Sequence, residues 1–168
     1  ISPVLPSYNR ANLSFVKGEG AWMIEAVGRR FLDFTSGIAV MALGHGHPKL
    51  VQVLKDQAEQ LWHTSNLFTV PEQVTLAEKL VDHTFADTVF FCNSGTEAAE
   101  LGMKLARKYH NATGTPERTT ILCFEGAFPG RSIAAISAAG QEKLVKGFGP
   151  LAPGFKQLPF GDHDAGVI

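Results

Sequence analysis

Apolar residues recur three or four positions apart in four stretches of the chain, which is the spacing of one face of an α-helix. Two of these stretches open with a proline, at Pro48 and Pro71, and proline is favoured in the first turn of a helix. A third begins near Gly95, and a fourth, short and alanine-rich, ends at Gly140. The pattern therefore predicts four helices.

Shorter apolar runs rich in β-branched and aromatic residues predict strands. The first two should form a hairpin around Val27-Gly28, preceded by a turn at residues 17–20, and the last two should be buried. Since the last two flank the third helix, they predict a βαβ unit, a parallel sheet and a ligand at the carboxyl ends of its strands. The four runs are residues 21–25, 30–34, 88–92 and 119–124.

The junction between the third strand and its helix is the strongest candidate for a binding site. Ser94 and Glu97 have the spacing of a capping box, and Glu100 precedes Lys104 by the four residues of a helix ion pair. The first N–H groups of a helix have no partner within it, and Gly95 lets a ligand approach the backbone, so the junction suits an anion. A capped helix with nothing bound is the alternative.

Composition excludes several classes of function. The 168 residues carry 15 basic and 16 acidic side chains, a net charge of −1, so we expect no nucleic-acid partner and no membrane association. The two cysteines, Cys92 and Cys123, form no disulfide framework and favour a reducing cytoplasm. His45 and His47 are too few ligands for a metal site, so we expect no metal.

The segment TVFFCNSGTEAAELGMKLARKY, residues 88–109, closely resembles the segment that holds the cofactor phosphate in class III (ornithine-type) aminotransferases. The resemblance runs from about Tyr8 to the end of the chain. It implies an α/β fold: part of the large domain of a fold-type I transferase dependent on pyridoxal 5′-phosphate, with a parallel-rich sheet, helices on both faces and a small β element before it. The expected boundaries are residues 1–45 for the N-terminal segment and residues 46–168 for the first part of the large domain.

The resemblance also implies roles for two loops. Ser94, Gly95 and Thr96 would hold the cofactor phosphate. In the loop GAFPGRS, residues 126–132, Phe128 would stack on the cofactor ring and Arg131 would bind the substrate α-carboxylate. A core phenylalanine and a solvated arginine are the alternative. Proline stands at position 129 where the family usually has histidine or another ring, and this departure affects the placement of both residues.

Two residues nearer the amino terminus match substrate-contacting positions of the family. Tyr8 lies where ornithine-type enzymes have a substrate-contacting tyrosine, and an aromatic plug on the core is the alternative. Ile38 stands where ornithine aminotransferases have an aromatic residue. Isoleucine there is similar to enzymes acting on acetylornithine or 4-aminobutyrate and implies a pocket wall without a hydroxyl, with ordinary core packing as the alternative.

The implied activity is amino-group transfer from N-acetylornithine to 2-oxoglutarate through pyridoxal 5′-phosphate, as in arginine biosynthesis, in a cytoplasmic homodimer. Alternatives are an aminotransferase for 4-aminobutyrate or another ω-amino acid, or a non-catalytic phosphate-binding fragment. The family's Schiff-base lysine is expected beyond residue 168, which makes this chain an amino-terminal fragment. We therefore expect no catalytic residue in it, inactivity of the 168-residue chain alone, and apolar surface exposed where the rest of the enzyme would pack.

Overall fold

A computed structural model describes residues 3–162 and divides the chain into two compact units, Ile1–Leu76 and Ala77–Ile168. The boundary expected between residues 45 and 46 stays a prediction. In chain order the elements are β1 (Phe15–Glu19), β2 (Trp22–Glu25), β3 (Arg30–Leu32), α1 (Ser36–Ala39), α2 (Pro48–Ala58), α3 (Pro71–Asp82), α4 (Gly95–Ala112), β4 (Ile121–Phe124), α5 (Ile133–Ala139), α6 (Glu142–Val145) and β5 (Phe155–Leu158).

An antiparallel three-stranded sheet in the order β1-β2-β3 forms the first part of the first unit. The predicted hairpin is confirmed, with Trp22 opposite Leu32 across β2 and β3. The turn predicted at residues 17–20 is wrong, because Lys17–Glu19 continue β1 and pair with β2. The small N-terminal β element is therefore present.

The two helices predicted to open with proline are confirmed as α2 and α3. Their apolar stripes are largely exposed; on α2, Leu50, Val53 and Leu54 all lie at the surface. This agrees with the expectation of exposed apolar surface. No helix in the described part of the chain is both long enough and apolar enough to cross a membrane.

A two-stranded parallel sheet lies in the second unit, where β4 pairs with β5 from Ile121 opposite Phe155 to Phe124 opposite Leu158. The strand β5 was missed, because its segment is rich in glycine and proline. The buried strand predicted at residues 88–92 is wrong: among residues 3–162 nothing pairs with this segment, and it lies partly exposed. A strand needs a hydrogen-bonded neighbour, and its own residues do not supply one. β4 forms as predicted but is only half-buried.

The core of the second unit is the helix α5, where residues 135–139 are buried. Small side chains let this helix pack closely against α4 and against both strands of the parallel sheet. Ser132 caps its start, since the hydroxyl accepts from the Ala135 N–H at 3.2 Å. At its end Gln157 donates to the carbonyls of Ser137 and Ala138, both at 3.1 Å. The predicted short helix is confirmed, and the loop of residues 126–132 leads directly into its start.

Candidate functional site

Ser94 caps the N-terminus of α4, as the sequence predicts, but Glu97 does not complete the predicted reciprocal pair with the Ser94 N–H. Ser94 is extended (φ −155°, ψ 159°), and its hydroxyl accepts a hydrogen bond from the Glu97 N–H at 3.2 Å. The Glu97 carboxylate reaches back to the Asn93 N–H at 2.6 Å, one residue before the expected partner. Hydrogen bonds from the Asn93 side-chain amide, and then from its N–H, hold the pKa of Glu97 below its ordinary value. The Ser94 hydroxyl and the Glu97 charge therefore both belong to the cap.

The N–H groups of Gly95 and Thr96 have no protein acceptor among residues 3–162. Gly95 is exposed, and a Cβ added there would meet no atom within 4 Å. The side-chain face of Gly95 is therefore unobstructed, and both N–H groups are left without a protein acceptor in the described residues. Two adjacent N–H groups at the positive end of an 18-residue helix suit an anion such as a phosphate.

The second motif lies directly against this helix start. Gly130 is buried and has a φ of 132°, and a Cβ added to it would stand 2.8 Å from both Cβ and Cγ2 of Thr96 and closer still to Oγ1. Only glycine fits such a contact, because any other side chain would overlap Thr96. The structure thus brings together the two motifs that were identified separately in the sequence.

Two side-chain hydrogen bonds hold the loop of residues 126–132 in this position. The Ser132 hydroxyl donates to a carboxylate oxygen of Glu100 on α4, and the Gln141 amide donates to the Ala127 carbonyl at 3.0 Å. The predicted pair of Glu100 with Lys104 is wrong, because Glu100 faces the loop instead. One end of the loop is therefore attached to α4, and the other to Gln141, directly before α6.

Phe128 and Arg131 contact each other within this loop. The guanidinium carbon of Arg131 lies 4.2 Å from the centre of the Phe128 ring, a cation–π arrangement. The Phe128 side chain is 66% exposed in the described part of the chain. The hydrogen bond of Arg131 described in the structure is a long one, 3.5 Å to the Gly130 carbonyl, which leaves most of its donors for a ligand. Pro129 does not separate the two side chains.

Tyr8 and Ile38 belong to the first unit, and neither packs as core. Tyr8 is 69% exposed, and the Arg10 guanidinium lies 5.6 Å from the centre of its ring. Ile38 is 91% exposed. Within the described residues neither side chain is buried, and both the substrate contacts and the core alternatives stay predictions.

The backbone around Ile38 has an unusual conformation. Four successive residues, Ser36 to Ala39, have φ values of 46°, 60°, 60° and 62°, so α1 is a left-handed turn. Only one of the four, Gly37, is a glycine. Left-handed helical conformation costs about 1–2 kcal/mol for each residue that has a Cβ. Bonds from outside the turn must therefore stabilise it.

Asp33 supplies such bonds at the start of the turn. Its Oδ1 accepts from the Thr35 N–H (3.0 Å), the Thr35 hydroxyl (2.7 Å) and the Ser36 N–H (2.9 Å). Its Oδ2 lies 2.8 Å from Nε2 of His45, so that histidine has a structural partner. The Thr35 hydroxyl, followed by His45, lowers the pKa of Asp33 to about 2, and the carboxylate is ionised at neutral pH.

Gly130, Glu100 and Asp33 were not identified as site residues from the sequence. Gly130 and Glu100 act through contacts with residues distant in the chain, and Asp33 acts through side-chain bonds to a turn with unusual backbone angles. Neither kind of feature appears in the spacing of apolar residues. The spacing of Glu100 ahead of Lys104 pointed to a different partner. A glycine directly before a candidate ligand residue, as Gly130 precedes Arg131, was the one signal available.

Comparison with known proteins agrees with this geometry. The family model of class-III aminotransferases matches residues 6–166. The acetylornithine aminotransferase of Rhodobacter capsulatus is 62% identical over 165 residues, which are 98% of this chain and 42% of that protein. The acetylornithine aminotransferase of Brucella melitensis is 54% identical, over 98% of this chain and 41% of its own length. The chain thus spans about two fifths of these curated relatives.

Solved structures show the same fold. The ornithine aminotransferase of Toxoplasma gondii superimposes with a TM-score of 0.91 at 28% identity, over 97% of this chain and 39% of that one. The N-acetylornithine aminotransferase of Stenotrophomonas maltophilia gives 0.73 at 35% identity, over 92% of this chain and 37% of that one. The fold is that of the fold-type I enzymes dependent on pyridoxal phosphate. Within that class, the chain belongs to the class-III aminotransferases.

Proposed function

We propose that the complete protein, meaning this chain with whatever precedes and follows it, transfers the amino group of N-acetylornithine to 2-oxoglutarate with pyridoxal 5′-phosphate. The observation that carries the proposal is the contact of Gly130 with Thr96, which joins an open helix N-terminus to a loop bearing an aromatic ring and an arginine. The amino donor is inferred from relatives at 54–62% identity that are named acetylornithine aminotransferases.

The residues present fit the cofactor. The open N–H groups of Gly95 and Thr96 would bind its phosphate, with assistance from the Thr96 hydroxyl, while the Ser94 hydroxyl keeps the helix start in shape. The exposed ring of Phe128 would cover a face of the pyridine ring. When bound, the cofactor supplies the electron sink that amino-group transfer requires.

Arg131 would bind the α-carboxylate of the amino acid. Its planar fork matches a carboxylate, and the cation–π contact with Phe128 restricts where the guanidinium lies. Tyr8 and Ile38 would contact the rest of the substrate, as their resemblance to the family's positions implies. The chain's own residues thus bind and orient both the cofactor and the substrate.

The lysine that carries the cofactor is proposed to lie outside these 168 residues. On α4 the lysine closest in sequence to the phosphate turn is Lys104, nine residues after Gly95, which is about 13 Å along the helix. Lys17 is bonded to Glu19 in β1. Neither fits a group that must attack an aldehyde held at the start of α4.

We also propose a cytoplasmic homodimer. Large apolar side chains are exposed in both units, among them Phe85, Trp62 and Leu67, and such surface favours association with further protein. The two cysteines are free, which supports a reducing compartment.

The phosphate role is tested by replacing Gly95 with proline. Gly95 is the first residue of α4 and Ser94 before it is extended, so proline fits the helix and removes one N–H donor. We expect pyridoxal phosphate to bind the complete Gly95→Pro protein about tenfold or more weakly, because a hydrogen bond to a charged group is worth about 1.5–3 kcal/mol. The dissociation constant is measured by fluorescence titration.

Gly95→Ala is the matched control, because alanine, like proline, adds a Cβ that meets no atom within 4 Å, but keeps the N–H. We expect the alanine protein to bind the cofactor several-fold more tightly than the proline protein. Equal affinity of the two variants would exclude the Gly95 N–H as a phosphate donor. Amino transfer by the unmodified protein from N-acetylornithine and from 4-aminobutyrate, measured in parallel, decides between the two donors.

A further inference from the structure

The left-handed turn of residues 36–39 exposes the Ile38 side chain to solvent. The turn closes through bonds from the N–H groups of Ile38 and Ala39 to the Thr35 carbonyl, at 2.7 and 3.2 Å. Its residues with a Cβ are all in a conformation that glycine prefers. An isoleucine 91% exposed on such a turn gains nothing from burial within the described residues that would offset the strain.

The Asp33 carboxylate is the group that stabilises the start of this turn. It is 8% exposed and receives both backbone N–H groups that precede Gly37, those of Thr35 and Ser36. The contact of its other oxygen with His45 fixes the carboxylate, and His45 is itself paired through its backbone with Gly20 at 2.8 and 2.9 Å. The turn is therefore attached to the sheet through one side chain.

We propose that Asp33 is a positioning residue for donor selection: by holding residues 36–39 in the left-handed turn, it sets where the Ile38 side chain stands in the substrate site. The inference rests on the proposed substrate contact of Ile38. Strained backbone persists only where the surrounding structure holds it, and it concentrates at functional sites. Loss of the Asp33 bonds releases the turn to ordinary negative φ and moves Ile38.

The test is Asp33→Ala in the complete protein, with two readouts. In a crystal structure of the variant we expect φ at Ile38 to become negative. In steady-state assays we expect KM for N-acetylornithine to rise about tenfold with kcat little changed, the lower end of what one apolar pocket contact supplies, and the preference over ornithine to fall by the same factor.

Glu25→Ala is the matched control, because Glu25 is another acid 8% exposed in the same sheet and is bonded to Arg29 rather than to the turn. It should leave φ at Ile38 and the donor preference unchanged. Adding Ala39→Gly to Asp33→Ala should return the turn to positive φ, since glycine adopts positive φ without strain. The KM for the donor should then fall part of the way back to that of the unmodified protein.

A turn that stays left-handed in Asp33→Ala overturns the inference, and so does an unchanged donor preference in a variant that still transfers amino groups. Absence of transfer from any donor by the unmodified protein overturns the proposed function instead, and the backbone readout still decides whether Asp33 holds the turn. If Asp33→Ala does not fold, Thr35→Val removes the hydroxyl bond to Asp33. In that variant a smaller fall in donor preference supports the inference, and an unchanged donor preference overturns it.

Discussion

Replacing Gly130 with alanine is expected to lower kcat/KM of the complete protein about 100-fold. The added Cβ would stand 2.8 Å from two carbon atoms of Thr96, a distance that carbon atoms do not reach without displacement. Thr96 is short and belongs to α4, so the loop with Phe128 and Arg131 must move instead. A displacement of about 1 Å at groups that orient a substrate costs on the order of 100-fold in rate.

Gly126→Ala is the control for this prediction. Gly126 lies in the same loop and has a positive φ of 79°, but a Cβ there would meet nothing within 4 Å. Alanine at 126 therefore adds backbone strain of about 1–2 kcal/mol without the clash. We expect it to lower the unfolding temperature and leave kcat/KM nearly unchanged. Equal kinetic losses in the two variants would mean that strain, and not the contact with Thr96, explains the result.

Replacing Arg131 with lysine is expected to raise KM for the amino donor by about one to two decades. Lysine loses the bidentate fork, and one hydrogen bond to a charged group is worth about 1.5–3 kcal/mol. The affinity for pyridoxal phosphate should change little, because no bond of Arg131 to the Gly95–Thr96 turn is involved. Initial rates over a range of donor concentrations measure the effect.

Arg118→Lys makes the same chemical change at an exposed arginine in the loop after α4. It should leave both KM and cofactor affinity unchanged. If Arg131→Lys also leaves the donor KM unchanged, Arg131 does not bind the carboxylate. If it weakens cofactor binding as strongly as donor binding, the residue acts mainly by supporting Phe128.

The sequence predicted the elements whose signals are local. The start of α4 follows from Ser94 and Glu97, which interact within one helical turn, and the end of α5 follows from Gly140, which adopts φ 61° there. The β2–β3 hairpin follows from apolar runs on either side of a glycine turn. In each case the residues that determine the structure lie within a few positions of one another.

Features that depend on distant partners were missed. Residues 88–92 have the composition of a buried strand, but in the part of the chain that the structure describes no neighbour pairs with them. The contact of Gly130 with Thr96 joins residues 34 positions apart, and the hydrogen bond of Ser132 to Glu100 joins residues 32 positions apart. Spacing and propensity do not encode such contacts.

The most direct measurement is the position of the phosphate in a crystal structure of the complete protein grown with pyridoxal 5′-phosphate. Our account predicts phosphate oxygens about 2.7–3.2 Å from the backbone nitrogens of Gly95 and Thr96, with the Phe128 ring against the pyridine ring. A cofactor bound elsewhere, with the N–H groups of Gly95 and Thr96 still facing solvent, would contradict it.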